Sequence, residues 1–247
     1  MVQESHNLRT IKIDDPTVVS STTVSTESEN TGNGASLYSK CVTAIDVVNH
    51  VLIVCLTVLT LYYSAVSTGV LDLHITLCTI GYILLMSEAI VVLAGESALT
   101  NFLSRRAKSH IHWILQVLGL GCILAGVVIM YRVKKVHFKS NHAILGLSSL
   151  VMMIVLTVCG YPVLVAAKLR KLIRPVILKF GHNLLGISCF VVGMASQCLG
   201  YKMRWLPNVS GIPNVQAISL VLTSAIIVLT VRSALPTLFR QFRSCFR

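Results

Sequence analysis

Six apolar stretches dominate this sequence, near residues 42–65, 73–94, 110–131, 142–165, 181–201 and 215–238. Each is long enough, at about 20 residues, to cross some 30 Å of hydrocarbon as a helix. In lipid every backbone polar group must find a partner inside the protein, which a helix provides by itself. The connections between the stretches are short and leave no room for a folded domain outside the membrane. The sequence therefore predicts an all-α membrane protein, a six-transmembrane helical bundle. Composition agrees: 54% of the 247 residues are hydrophobic and 12% are charged, where a soluble domain carries roughly a quarter charged residues.

Residues 1–40 are polar and rich in Ser, Thr and Asn, and they read as a disordered tail. The bundle occupies 41–240, and 241–247 form a short basic tail. The tail, the 2–3 loop, the 4–5 loop and the C-terminus together hold fourteen basic residues, against six on the other side. The positive-inside rule then puts both termini in the cytoplasm. The net charge of +12 fits anionic headgroups. No basic stripe interleaved with aromatics is present, so nucleic acid is not an expected partner. The eight cysteines include no C-x-x-C pair, which indicates neither a zinc site nor covalent haem attachment.

Histidines carry the chemistry. His6 lies in the tail and His137 in a basic loop, and both read as solvated. Four others open successive spans: His74 the second, His112 the third, His142 the fourth and His182 the fifth. Antiparallel neighbours alternate in direction, so the starts of spans two and four share one face and those of three and five share the other. His74 is thereby paired with His142 on the outer side, and His112 with His182 on the cytoplasmic side. Each pair comes from two helices running the same way at similar depth, the arrangement that axial ligation of a haem demands. Two imidazoles close both axial positions of the iron, which suits electron transfer rather than oxygen binding. Ligands near opposite ends of such spans place the two irons about 20 Å apart.

Residues four and seven places on share the face of each histidine. They are Cys78 and Gly81 after His74, Gln116 and Gly119 after His112, Gly146 and Ser149 after His142, and Gly186 and Cys189 after His182, with Gly193 beyond. Mostly small, they are expected to leave room for a flat macrocycle. His110 points away from His112, and His112, deeper in the span, is the expected ligand. Glu88, inside the second span, either handles protons or bonds to a neighbouring helix. Asp46 is expected at the interface, and His50 as a hydrogen-bonded core residue.

These features together resemble the cytochrome b561 family, over about residues 40–240. The resemblance rests on His74; Met86-Ser87-Glu88-Ala89 and Glu96-Ser97; His112-Trp113-Ile114-Leu115-Gln116; Asn141-His142 with Gly146-Leu147; and Gly181-His182 with Gly186. Histidine spacings of 38, 30 and 40 residues are also like the family's. In detail the chain resembles the small animal cytochrome b561 domain-containing subgroup of transmembrane reductases. Ile75 stands where many of that subgroup carry proline.

The resemblance implies two non-covalent, bis-histidine haems b between spans two to five. It implies electron transfer from cytoplasmic ascorbate to monodehydroascorbate or a ferric chelate on the other side. It also implies ascorbate binding by basic residues, for which Lys108, Arg174 and Lys179 are the candidates, and a homodimer. An endomembrane, endoplasmic reticulum or vesicle, is expected rather than the plasma membrane. The competing reading is a haem-free, proton-coupled transporter or channel in which histidines relay protons.

Overall fold

The computed structural model describes residues 24–93, 100 and 102–247, with side chains from Leu37 onward. Most of the expected tail, with His6, lies outside the described residues, as does the pair Glu96-Ser97. The chain divides into two units, Met1–Lys40 and Cys41–Arg247. In the first, the described residues from Val24 are helical. The second holds the bundle.

Among the described residues, six helices are long and apolar enough to cross a membrane, the first of them over Leu37–Ser67. They are α1 (Val24–Ser67), α2 (Val70–Leu93), α3 (Arg105–Val133), α4 (Asn141–Leu164), α5 (Pro175–Tyr201) and α6 (Val215–Cys245). No strand occurs among the described residues. A short helix, Trp205–Ser210, fills the 5–6 connection and contains the glycosylation sequon Asn208-Val209-Ser210. It ends at Gly211, whose φ of 63° lies in the left-handed region that suits glycine.

The helices start where local chemistry permits. Ser104 accepts a hydrogen bond from Ala107 N (3.2 Å), and Ser140 from Ala143 N (3.2 Å), so each caps the helix that follows. Pro175 opens α5 at a position where its missing N–H costs nothing. As a result α3 and α5 begin well before their apolar runs, and His112 and His182 sit about two turns into their helices rather than in the first. The other two histidines lie as expected, in the first turns of α2 and α4. Similarly α6 continues to Cys245, so most of the expected C-terminal tail is helical.

The bundle turns apolar side chains outward as well as inward, and buries many hydroxyls. Val51, Val54, Val58, Val221 and Val228 stand outward and exposed. Thr57, Thr60, Ser64, Ser149, Ser196, Ser219, Thr223 and Thr230 are buried with Tyr82, Met153, Phe190 and Met194. Small and hydroxylated residues at helix contacts are what lets membrane helices approach closely. The most extensive contact is α2 on α3, followed by α4 on α5; α5 also packs on α6.

Two crossings set the geometry. In α2 and α3, a Cβ on Gly81 would stand 3.0 Å from the carbonyl oxygen of Gly119 and collide with Ile123, while one on Gly119 would stand 3.3 Å from that of Gly81. In α4 and α5, Ser149 Oγ donates to Cys189 O (3.3 Å) and Cys189 Sγ donates to Ser149 O (3.3 Å). These four are the residues seven places beyond the four histidines. They were expected to make room for a macrocycle, but they are where the helices meet. Gly193 is likewise closed off, by the ring of Tyr82.

Gly81→Ala is expected to lower the Tm of the detergent-solubilised protein, at a cost of about 1–3 kcal/mol from overpacking. Gly121→Ala, with nothing within 4 Å of the new Cβ, is expected to leave it unchanged. Equal thermal melts for the two variants would contradict the crossing.

Candidate functional site

α2 and α4 begin on one face of the bundle. α3 and α5 begin on the other, where α6 ends, here called the C-terminal face. The structure brings His74 and His142 together at the first face, with ring centres 6.2 Å apart and planes at 87°. It brings His112 and His182 together at the C-terminal face, 6.5 Å apart at 70°. The two pairs expected from helix direction are thus the two pairs observed.

Three of the four rings are held by a helix running antiparallel to their own. His74 Nδ1 donates to Gly126 O of α3 (2.9 Å), and His112 Nδ1 donates to Ala89 O of α2 (2.8 Å). His142 Nδ1 donates to Ser196 O of α5 (2.9 Å), and Ser196 Oγ returns a bond to His142 O (2.9 Å). A carbonyl oxygen can only accept, so Nδ1 carries the proton and the Nε2 lone pair is free. Among the described residues no protein group hydrogen-bonds Nε2 of any of the four. Metal-bound histidines are commonly fixed in this way through the other ring nitrogen.

The crossings explain the reach. Ala89, Gly126 and Ser196 lie seven or eight residues beyond Gly81, Gly119 and Cys189, as far past each crossing as the histidines lie before it. Glycines line the same contacts. A Cβ on Gly126 would stand 3.0 Å from Cys78 Sγ, and one on Gly200 3.4 Å from His142 Cε1. His182 is the exception. Its Nδ1 is buried without a partner among the described residues, and its Cε1 would lie 4.0 Å from a Cβ on Gly160.

At the first face Asp72, two residues before His74, is buried and accepts a 2.6 Å bond from Trp205 Nε1. Ser64 of α1 donates to the Asp72 carbonyl (2.6 Å). The start of α2 is thereby tied to α1 and to the short helix.

At the C-terminal face Lys108, one turn before His112, is buried. Lys179 is exposed. Arg174 donates to the carbonyls of Cys245 (3.3 Å) and Ser244 (3.2 Å), closing the end of α6. His110 is exposed, apart from the pair.

A polar seam that sequence reasoning only partly found runs beside this pair. Asp46, expected at the interface, is buried and paired with Arg232 (2.7 Å). Asn49 Nδ2 donates to Thr230 Oγ1 (3.1 Å). His50 Nδ1 lies 2.9 and 2.7 Å from the two carboxylate oxygens of Glu88. Asp46 and His50 stand four apart on one helix face, which was the available signal. His137, expected to be solvated, stacks on Tyr131 at 4.1 Å.

The family model for eukaryotic cytochrome b561 matches residues 73–206. The chain belongs to the cytochrome b561 family. The matched region runs from just before His74 to the short helix and contains both histidine pairs. The chain is similar to human transmembrane reductase CYB561D2, at 29% identity over 173 residues covering 68% of this chain and 78% of the relative. It is similar to the mouse protein of the same name, at 28% over the same shares. The bovine one is 29% identical, covering 63% of this chain and 72% of that one. No solved structure gives a significant match. Membership of a cytochrome family, with six helices among the described residues long and apolar enough to cross a membrane, makes this chain a membrane electron-transfer protein.

Trp205→Phe removes the donor to a buried carboxylate and is expected to destabilise the protein by about 1–3 kcal/mol. In thermal melts the double variant with Asp72→Asn should lose less than the sum of the two single changes. Additive losses would mean that the Asp72–Trp205 bond is not coupled.

Proposed function

We propose that the chain transfers electrons across a membrane through two b-type haems, one held by His74 and His142 and the other by His112 and His182. The observation that carries this reading is the matched geometry of the two pairs. Two imidazoles that shared one metal ion, each at about 2 Å, would have ring centres about 6 Å apart, and these stand at 6.2 and 6.5 Å. Two such rings would be free to turn relative to one another, so crossed planes are compatible.

The donor set also fits. An all-protein zinc site takes three or four ligands, and among the described residues no three His, Cys, Asp or Glu side chains gather as a metal site. A haem would bring its own four nitrogens and would need from the protein only the two imidazoles of each pair. Haem, when bound, supplies a one-electron carrier.

The protein's part is to hold and insulate. The carbonyls of Ala89, Gly126 and Ser196 fix three rings and leave their Nε2 free. Tyr82, Met153 and Phe190, which lie between the two faces along their helices, are buried and exclude water from the middle.

The excess of basic residues supports the C-terminal face as cytoplasmic, and the family resemblance supports ascorbate as the donor there. Lys108, buried one turn from His112, is the best placed of the three candidates to bind an ascorbate anion. Arg174 is committed to the end of α6, and Lys179 stands outward on α5. The acceptor on the opposite face, in an endomembrane, is monodehydroascorbate or a ferric chelate. The relatives named transmembrane reductases support a reductase.

Purified protein should show a reduced low-spin b-type spectrum with about two haems per chain. Either His112→Ala or His142→Ala should leave about one. A chain without haem, or with two after either change, would sink the reading and return the histidines to a proton relay. Lys108→Ala should raise the KM for ascorbate about tenfold, the worth of one charge-assisted hydrogen bond, with haem content unchanged. An unaltered KM would remove Lys108 from the donor site.

A further inference from the structure

Three contacts make the polar seam, and two have a plain structural role. Asp46–Arg232 and Asn49–Thr230 fasten α1 to α6. His50–Glu88 differs, because both partners can change charge, whereas an arginine remains charged. The His50 ring donates from Nδ1 to the carboxylate, so a neutral ring presents Nε2 as a bare acceptor. That Nε2 is buried and has no partner among the described residues. In the neutral ring this atom can take up a proton beside a carboxylate, inside the bundle.

Its position links it to the C-terminal pair. Glu88 immediately precedes Ala89, whose carbonyl holds the His112 ring at 2.8 Å. The charged groups around it are Asp46, one turn before His50 on α1; Arg232 of α6, bound to Asp46; and Lys108 of α3, one turn before His112. Arg232 and Asp46 offset one another. In a low-dielectric interior, a change of one charge at the histidine pair is felt strongly by an ionisable neighbour.

We propose that His50 and Glu88 form a proton-binding site coupled to electron occupancy at the His112–His182 pair. When an electron arrives there, Nε2 of His50 takes one proton from the C-terminal-face solution. The imidazolium then neutralises the Glu88 carboxylate, and the net charge of the region is unchanged. When the electron leaves, the proton is released. One electron and one proton move together, and no bond between heavy atoms forms or breaks. The proposal rests on the reading that this pair holds a haem.

The test is a spectroelectrochemical titration of the full chain in lipid nanodiscs across about pH 6 to 8, the range in which histidine ordinarily titrates. One of two b-type components should fall in midpoint with rising pH, approaching 59 mV per unit, a tenfold change per unit for a one-electron couple. The other should stay flat. His50→Gln and Glu88→Gln should each flatten the sloping component while two haems remain bound. A purely structural pair would alter haem content or melting and leave the slope.

If Glu88→Gln does not assemble, His50→Gln and a pH-dye measurement of proton uptake on reduction of the unmutated protein decide the matter. Two haems with flat potentials and no proton uptake overturn the coupling alone. A slope that survives His50→Gln also overturns it. Absence of a b-type spectrum overturns the haem reading and the coupling with it.

Discussion

An imidazole buried in a bilayer has two ring nitrogens to satisfy and no water to do it. Three of the four paired histidines meet half of that demand with a main-chain carbonyl from a neighbouring helix, reached beyond a close crossing. The rest of the bundle follows from that reach. The crossings must be tight, so Gly81, Gly119, Ser149 and Cys189 stand there. The helices must be antiparallel, so a ring near the start of one meets a carbonyl near the end of the next. The other nitrogen is left for a partner that the chain does not itself supply.

The polar groups outside the pairs obey the same rule. A charge within a span is costly unless paired, and removing one partner of a buried pair typically costs about 3–5 kcal/mol. Asp46 has Arg232 and His50 has Glu88. Asp72 is served by the Trp205 indole. Some hydroxyls of the interior turn back on their own helix, as Thr57 does to Ile53 O and Thr223 to Ser219 O, and others reach a neighbouring one, as Ser149 does to Cys189 O.

Much of this was legible in the sequence. Six apolar runs imply six helices because the bilayer admits little else, and helix direction alone sorted His74 with His142 and His112 with His182. The helix starts were less legible. Ser104 and Pro175 extend α3 and α5 into polar sequence that carries no hydropathy signal. The small residues were misread for a different reason. A glycine one face along from a histidine serves equally for a flat ligand or a close crossing, and only the position of the opposing helix distinguishes them. Asp46 and Arg232 lie far apart in the chain, and no spacing rule joins them.

The placement of Ala89 beside His112 follows from the winding of α2. Thr79–Met86 is a π-helix, in which each hydrogen bond spans one more residue than in an α-helix. From ring to carbonyl, α3 counts fourteen residues between His112 and Gly126, and α5 fourteen between His182 and Ser196, but α2 counts fifteen between His74 and Ala89. One additional residue in a regular α-helix would swing everything after it by about 100°. The wider winding absorbs that swing and returns Ala89 to the angular phase His112 requires. Residues 79–86 are therefore where an alignment gap belongs against any relative whose second span is uninterrupted α-helix.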